Sequence, residues 1–392
     1  MAEDIDSDPF AAGQLRGLRL LETFRKLLHK QLESRRREQI HPSEDDPRRT
    51  LFASNYFSAL LLVFYNPVLK SARAIIAASK DSATVRKALG SDVPLSLGSF
   101  SEAQHLFDAN LLRGLIRSLR GRLRAPGQTG TDARLVDFVK RMIAVDSSFF
   151  AALDRISWAV YRRQTATKRV RLHLLFNVLD GTIEDAAITP GACCERKVLA
   201  PRIEPGRLYC GDRYYGLDYS YFTLVRNGQA DALMRVRDQP EHTVLEEHAL
   251  SDEARAYGVV ADQTVILGPD PQKGQAVRMI TLRRDGKLIR LVTTLTESDA
   301  VELCMLYRYR WEIETFFKWL KCILGTRGFL AESRNGITAQ LYIALIMALM
   351  LAAFTGTRPN KRQMEAIQLY LMGWMTEDEL AAALSLQKTK KS

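Results

Sequence analysis

From residue 341 to residue 354 the chain runs through fourteen apolar residues without a charge or an amide. A helix built from such a run is apolar on every side, so other elements must enclose it rather than meet it along one stripe. Crossing a bilayer takes about twenty such residues. The run is therefore expected to be the core helix of a folded body, spanning residues 337–354 and packing on a sheet, with no membrane among the partners. Pro359 stops it. The 392 residues leave room for two or three domains around such a core.

The first third of the chain has helical periodicity. Leu18, Leu21, Phe24 and Leu28 share one face of a basic helix over residues 13–40, closed by Arg35-Arg36-Arg37 and broken at Pro42 and Pro47. Further helices are expected over residues 52–69, 71–89 and 101–123, with Ser99 and Glu102 in capping-box register before the last. The end of that last helix carries Arg113, Arg117, Arg120, Arg122 and Arg124 with no acid among them. A solvated face would read the same, but phosphate contact suits a basic chain better. Residues 125–130, Ala-Pro-Gly-Gln-Thr-Gly, read as a linker that closes a helical region over residues 1–125.

Beyond the linker the pattern changes to strands. Residues 141–150 form an apolar strand carrying Asp146, and residues 168–179 a second. Asp180-Gly181 is a hairpin turn, and residues 182–189 return as a third. Residues 207–212 make a short strand ending on Asp212, sixty-six residues after Asp146. A helix over 217–226 and a strand over 232–236 follow. Residues 238–299 are rich in β signals, including a hairpin turning at Asp285-Gly286.

One helix then gathers unlike polar groups. Residues 307–321 read Tyr-Arg-Tyr-Arg-Trp-Glu-Ile-Glu-Thr-Phe-Phe-Lys-Trp-Leu-Lys. At about 100° per residue, Tyr307, Arg310, Glu314 and Lys321 project from one arc about 60° wide. An ordinary amphipathic helix with solvated charges has the same outline. A carboxylate framed by a guanidinium, an ammonium and a phenol is also a means to hold a cation and grip a phosphate backbone.

Charge favours that second reading. Lysine and arginine number 56 against 45 acids, a net charge of +11, which fits a polyanionic partner, nucleic acid before an anionic membrane surface. The five cysteines, Cys193, Cys194, Cys210, Cys304 and Cys322, are odd in number and lack zinc-site spacing, so free thiols in a reducing cytosol are expected. The polar, acidic start gives no export signal.

The spacing Tyr307-x2-Arg310-x3-Glu314-x6-Lys321 resembles the YREK signature of bacterial insertion-sequence DDE transposases, the group named after insertion sequence four. Val145-Asp146-Ser147-Ser148 resembles that family's first acidic motif, and residues 168–173 its basic strand. Asp212-Arg213-Tyr214-Tyr215 is similar to its Asp-Arg-Gly-Tyr motif, departing at Tyr214 where glycine is usual. The similarity covers about residues 99–355.

What this resemblance implies is an α/β chain with a ribonuclease-H-like catalytic core over residues 126–325, a β-rich insertion over 238–299, and flanking helical regions. Residues 1–125 would bind the DNA ends, and residues 326–392 would pack on the core and offer a dimerisation surface. Asp146, Asp212 and Glu314 would be the catalytic acids and the ligands of two Mg²⁺ ions, or Mn²⁺ in their place, with Asp146 bridging. Two such ions about 3.5–4 Å apart activate one oxygen and stabilise another. Tyr307, Arg310 and Lys321, with Arg213 and Lys168, would contact DNA; a core-edge aromatic is the plainer role for Tyr307. The stretch from Arg155 to Arg171 is a second phosphate track, and His173 a satisfied sheet histidine. The expected partners are double-stranded DNA, both terminal inverted repeats and target, and a second copy of the chain in the DNA complex, in a bacterial cytoplasm near the nucleoid. A nuclease of the same fold that cuts without joining, or a DNA-binding protein descended from a transposase, would share these features.

Overall fold

The computed structural model describes residues 19–33, 46, 48–66, 68–69, 71–120, 132–162, 167–217, 220–270, 272, 274–324, 329–355 and 361–385. Its first helices are α1 (Arg19–Glu33), α2 (Ala53–Tyr65), α3 (Ala72–Asp81), α4 (Ala83–Leu89), α5 (Leu97–Leu106) and α6 (Leu111–Arg120). Their apolar faces are those the spacing calls for. Leu21, Phe24 and Leu28 of α1 are buried, as are Leu112, Leu115, Ile116 and Leu119 of α6. One helix start differs. The Ser96 hydroxyl accepts from Ser99 N at 3.0 Å and caps α5, so Ser99 lies inside the first turn and the expected box with Glu102 does not form. Leu18, Arg35-Arg36-Arg37 and the 125–130 linker lie outside the described residues.

The sheet region follows: α7 (Val136–Arg141), β1 (Met142–Ala151), β2 (Val160–Arg162), β3 (Thr167–Asn177), β4 (Thr182–Pro190), α8 (Glu195–Leu199), β5 (Leu208–Gly211), α9 (Ser220–Asn227) and β6 (Asp231–Arg235). The stretch expected as an insertion supplies β7 (His242–Glu247), α10 (Asp252–Tyr257), β8 (Val259–Leu267), β9 (Ala276–Arg284) and β10 (Lys287–Thr293). The helices α11 (Ala300–Arg308), α12 (Trp311–Leu324), α13 (Arg334–Thr355), α14 (Lys361–Leu371) and α15 (Glu377–Ser385) complete the chain.

Among the described residues the strands join one ten-stranded sheet in the order β2-β3-β1-β5-β6-β10-β9-β8-β7, with β4 paired to β3. β1, β5 and β6 run parallel. β10 lies antiparallel to β6, Leu291 opposite Arg235, so β7 to β10 extend the same sheet. One apolar core accompanies them, running from Ile143, Val145 and Tyr209 through Met234 to Val277, Met279 and Val292. The Asp285-Gly286 turn is as tight as its sequence suggests. Both residues take positive φ, 49° and 73°, and Arg284 pairs directly with Lys287.

Two compact units divide the chain: Met1–Arg124, Ala151–Trp158 and Lys318–Ser392 form one, Ala125–Phe150 and Ala159–Phe317 the other. The residues expected as a separate C-terminal region, 326–392, therefore share a unit with the N-terminal helices. Within that unit α13 packs against α2, α5 and α6. The Asn335 side chain ties its start in place, accepting from Ala109 N at 2.9 Å and donating to Gln104 O at 2.9 Å and Phe107 O at 2.8 Å. The helix begins earlier than the apolar run and reaches 22 residues. It is thus long and apolar enough to cross a membrane by length and composition, contrary to the sequence expectation. Of its most apolar window, 83% is buried within the protein, which is the enclosure the run demands.

Candidate active site

Asp146 and Asp212 come together through strand register. In the parallel pair of β1 and β5, Val145 stands opposite Gly211, so the two aspartates follow at neighbouring positions. Ser147 N donates to Asp146 Oδ1 at 2.7 Å and Tyr214 N to Asp212 Oδ1 at 2.9 Å. Glycines make the close packing around Asp212 feasible. A Cβ at Gly211 would meet Met234 Sδ at 2.6 Å, and one at Gly216 would meet Arg235 O at 2.1 Å. Tyr214, where the resembling family has glycine, is not among the residues with positive φ, so its side chain costs the turn nothing. Burial pushes the Asp146 carboxyl up to about 7; the Ser147 N–H and Arg310 oppose the rise, while Asp212 and Glu195 add to it.

The helix carrying Glu314 is not continuous. α11 ends at Arg308 and α12 starts at Trp311. Between them the bonds run three residues back: Arg310 N to Tyr307 O at 3.1 Å, Glu312 N to Tyr309 O at 3.0 Å and Ile313 N to Arg310 O at 3.3 Å. Such tightening eclipses side chains three apart, and the Arg310 guanidinium lies 5.5 Å from the Tyr307 ring centroid. Arg310 Nη2 then donates to Glu314 Oε1 at 2.6 Å. Tyr307, Arg310 and Glu314 thus form one chain of contacts by a route the uniform 100° rule did not describe. Lys321 is exposed two turns beyond Glu314 on the same face of α12, in the part of that helix belonging to the other unit.

Residues of β8 and β9 support the start of α11. The Asp299 carboxylate caps it, accepting from Val301 N at 2.8 Å and Glu302 N at 3.1 Å. Arg278 of β9 pairs with Asp262 of β8 at 2.6 Å, both nearly buried, and reaches the carbonyls of Thr296 and Ser298 just before that cap.

The second basic track is partly absorbed by acids. Arg155 pairs with Glu332 at 2.5 Å. Arg171 is 8% exposed and pairs with Glu195 at 2.7 Å, so it faces no solvent phosphate. What remains on the edge of the sheet is an array of guanidiniums and rings. Arg162 lies over Tyr161 at 5.4 Å, and Arg169 over Tyr161 at 5.0 Å and Phe149 at 5.7 Å. Arg162 and Arg169 are exposed, and among the described residues neither forms an ion pair with an acid. Lys168, the second residue of β3, lies opposite Val160 of β2. Arg213 is exposed 4.0 Å from Asp238. His173 is a buried sheet residue whose Nε2 meets Thr189 Oγ1 at 2.8 Å, and burial pushes it down to about 3.

Glu195 is the acid that sequence patterning missed. It sits in a five-residue helix after Cys193-Cys194, too short for any periodic signal. Among the described residues no group of three or more His, Cys, Asp or Glu gathers closely enough to hold a metal ion. Asp146 and Asp212 fit a hard divalent cation by chemistry, since both offer carboxylate oxygens. Charge also fits. With all four carboxyls ionised, as a bound cation would favour, Asp146, Asp212, Glu195 and Glu314 set against Arg171 and Arg310 leave two negative charges in excess. Glu314 stands bound to Arg310 rather than joined to the aspartate pair.

A family model described as "Transposase DDE domain" matches residues 137–351, more than half of the chain. A protein of Sinorhizobium fredii named as transposase y4zB is 30% identical over 176 residues, 44% of this chain and 47% of its own. A protein of Geobacillus stearothermophilus named as the transposase for insertion sequence element IS5377 is 26% identical over 222 residues, 56% of this chain and 58% of its own. In Synechocystis, one named for insertion sequence element IS4SA is 28% identical over 125 residues, 30% and 37% of the two chains. The chain thus spans about half the length of the first two relatives, and less of the third.

Proposed function

The chain belongs to the transposase DDE-domain family, and from that premise we propose that it cuts the ends of an insertion sequence and joins them to target DNA in a bacterial cytoplasm. The observation that carries this reading is the placement of Asp146, within β1, beside Asp212, just past the end of the parallel strand β5. We read β4-β3-β1-β5-β6 as a ribonuclease-H-like core, with β7 to β10 as the inserted strands that seat α11.

Asp146 and Asp212 would hold Mg²⁺ or Mn²⁺, with Glu314 completing the set when released from Arg310. When bound, two such ions activate a water or a 3′-hydroxyl and stabilise the leaving oxygen. Arg310 is then free to take a phosphate bidentately, and Lys321 to neutralise another. Tyr307 stacks with or bonds to the terminal nucleotide. Lys168, Arg213, Arg162 and Arg169 line the approach of the duplex, and the helices of residues 1–125 add sequence-independent grip. A dimer follows from the need to hold two ends together.

The test is strand transfer from a labelled, pre-cut terminal repeat into a plasmid with Mg²⁺. Joined products at wild-type residues, lost in Asp146→Asn and Asp212→Asn, are expected. Hydrolysis without joining contradicts the transposase reading and leaves a nuclease.

A further inference from the structure

Arg310 and Glu314 lie one turn apart across the start of α12, and Arg310 Nη2 donates to Glu314 Oε1 at 2.6 Å. An ordinary pair at this spacing is a solvated contact that a helix loses at little cost. This one differs. The Arg310 side chain is 11% exposed against 28% for Glu314, so the guanidinium is held inside while the acid keeps access to water. The bonds running three residues back through the helix break set Arg310 against Tyr307, its Cζ 5.5 Å from the ring centroid. Only part of the guanidinium is used in this position, since Nε is buried without a hydrogen-bond partner. A buried donor left unpaired is unfavourable. The contact with Glu314 thus leaves Arg310 with unmet capacity for an oxyanion.

An oxyanion has a way in. Arg310 and Tyr307 line a cavity of about 620 Å³ whose wall also carries the exposed Arg284 and Arg308. Of its two acids, Asp132 is already paired with Arg134 at 3.0 Å. A phosphate offers two oxygens to the guanidinium fork, a stronger contact than one bond to a carboxylate. Glu314, meanwhile, is not gathered with Asp146 and Asp212 into a cation-holding group among the described residues.

We infer that the Arg310–Glu314 pair is a latch: it keeps Glu314 out of the metal set in the free chain, and a DNA phosphate entering the cavity opens it by taking Arg310. Cation and DNA then bind cooperatively, because each favours the open state. The inference rests on the reading of Asp146, Asp212 and Glu314 as the metal-holding residues.

The experiment titrates Mn²⁺ into the full chain without DNA, by calorimetry. The chains compared are wild type, Glu314→Gln, Arg310→Met, the double variant Arg310→Met with Glu314→Gln, and Asp146→Asn. With the latch closed, Glu314→Gln is expected to stay within about threefold of wild type, below the roughly tenfold that even outer contacts of a metal site are worth. Arg310→Met releases the carboxylate and is expected to tighten Mn²⁺ by about tenfold or more. The double variant is expected to lose most of that gain. Weaker binding by Glu314→Gln overturns the inference, because Glu314 would already be a ligand. So does wild-type affinity in Arg310→Met, and so does a gain that persists in the double variant, which is the field of a lost cation alone. If Arg310→Met does not fold, the titration is repeated with a pre-cut DNA end lacking its 3′-hydroxyl. Glu314→Gln is then expected to weaken Mn²⁺ about tenfold with the DNA and not without it; an equal effect in both overturns the latch. Asp146→Asn is expected to abolish binding. Wild-type affinity in that variant defeats the underlying reading of the metal set, a result distinct from the failures above.

Discussion

In the helical unit the longest helix, α13, is apolar on every side, and its polar anchors, Asn335 among them, cluster at its start. In the sheet unit a four-residue strand, β5, leads straight into a carboxylate whose neighbours are other acids. In the first, local pattern, packing and polar satisfaction all agree, as they do where stability alone is at stake. In the second, like charges are held together against their repulsion and a buried Arg171–Glu195 pair is kept among them. The proposed site thus falls where the physical chemistry is strained, and the support where it is not.

The largest effect expected from that contrast is in α13. Leu345 is fully buried, so Leu345→Asp should cost about 5 kcal/mol or more and leave the chain insoluble or unfolded in urea titration. A soluble, cooperative variant would show α13 to be less enclosed than described. Next is Arg278→Ala, which strands the buried Asp262 carboxylate and loosens the seat of α11; breaking a buried pair costs about 3–5 kcal/mol. The sharper outcome is that its partner-matched double variant, Arg278→Met with Asp262→Leu, recovers most of that stability.

A smaller effect separates the surface arginines from the buried one. Replacing Arg162 and Arg169 together by Ala should lower the slope of log affinity against log salt by about two for duplex DNA, with unfolding unchanged. An unchanged slope would remove the edge of the sheet from the DNA path. The smallest effect has the opposite sign. Because burial and neighbouring acids burden the Asp146 carboxylate, Asp146→Asn should raise stability by on the order of 1 kcal/mol in chelator at pH 8, read as a shift in the urea midpoint. No helical-unit core residue should gain from a comparable swap.

How much of this was legible in the sequence differs between the units in the same way. The strands bearing Asp146 and Asp212 declare themselves by apolar runs and turn residues. Their closeness, by contrast, depends on the parallel register of Val145 with Gly211, which period-two patterning does not encode. The spacing of Tyr307, Arg310 and Glu314 was visible. The break at Tyr309–Arg310 was not, since no glycine or proline marks it and only the three-back hydrogen bonds reveal it. The apolar run of α13 foretold burial but not its partners. Apolarity on all sides does not distinguish a sheet from α2, α5 and α6 as the neighbour. Glu195 left no periodic trace, and Arg171 read as a solvent cation because its acid lies 24 residues downstream.

The central claim is that the Asp146–Asp212 pair, with Glu314 on α12, performs the cleavage, and it is tested most directly by single-turnover nicking of a labelled terminal repeat in Mg²⁺. Wild type, Asp146→Asn, Asp212→Asn and Glu314→Gln are compared at matched DNA occupancy. The account predicts that each variant binds the end as wild type does and loses at least about a thousandfold in nicking rate, equivalent to roughly 4 kcal/mol of barrier. Near wild-type nicking by any one of the three at full occupancy would contradict the account and remove that residue from the site.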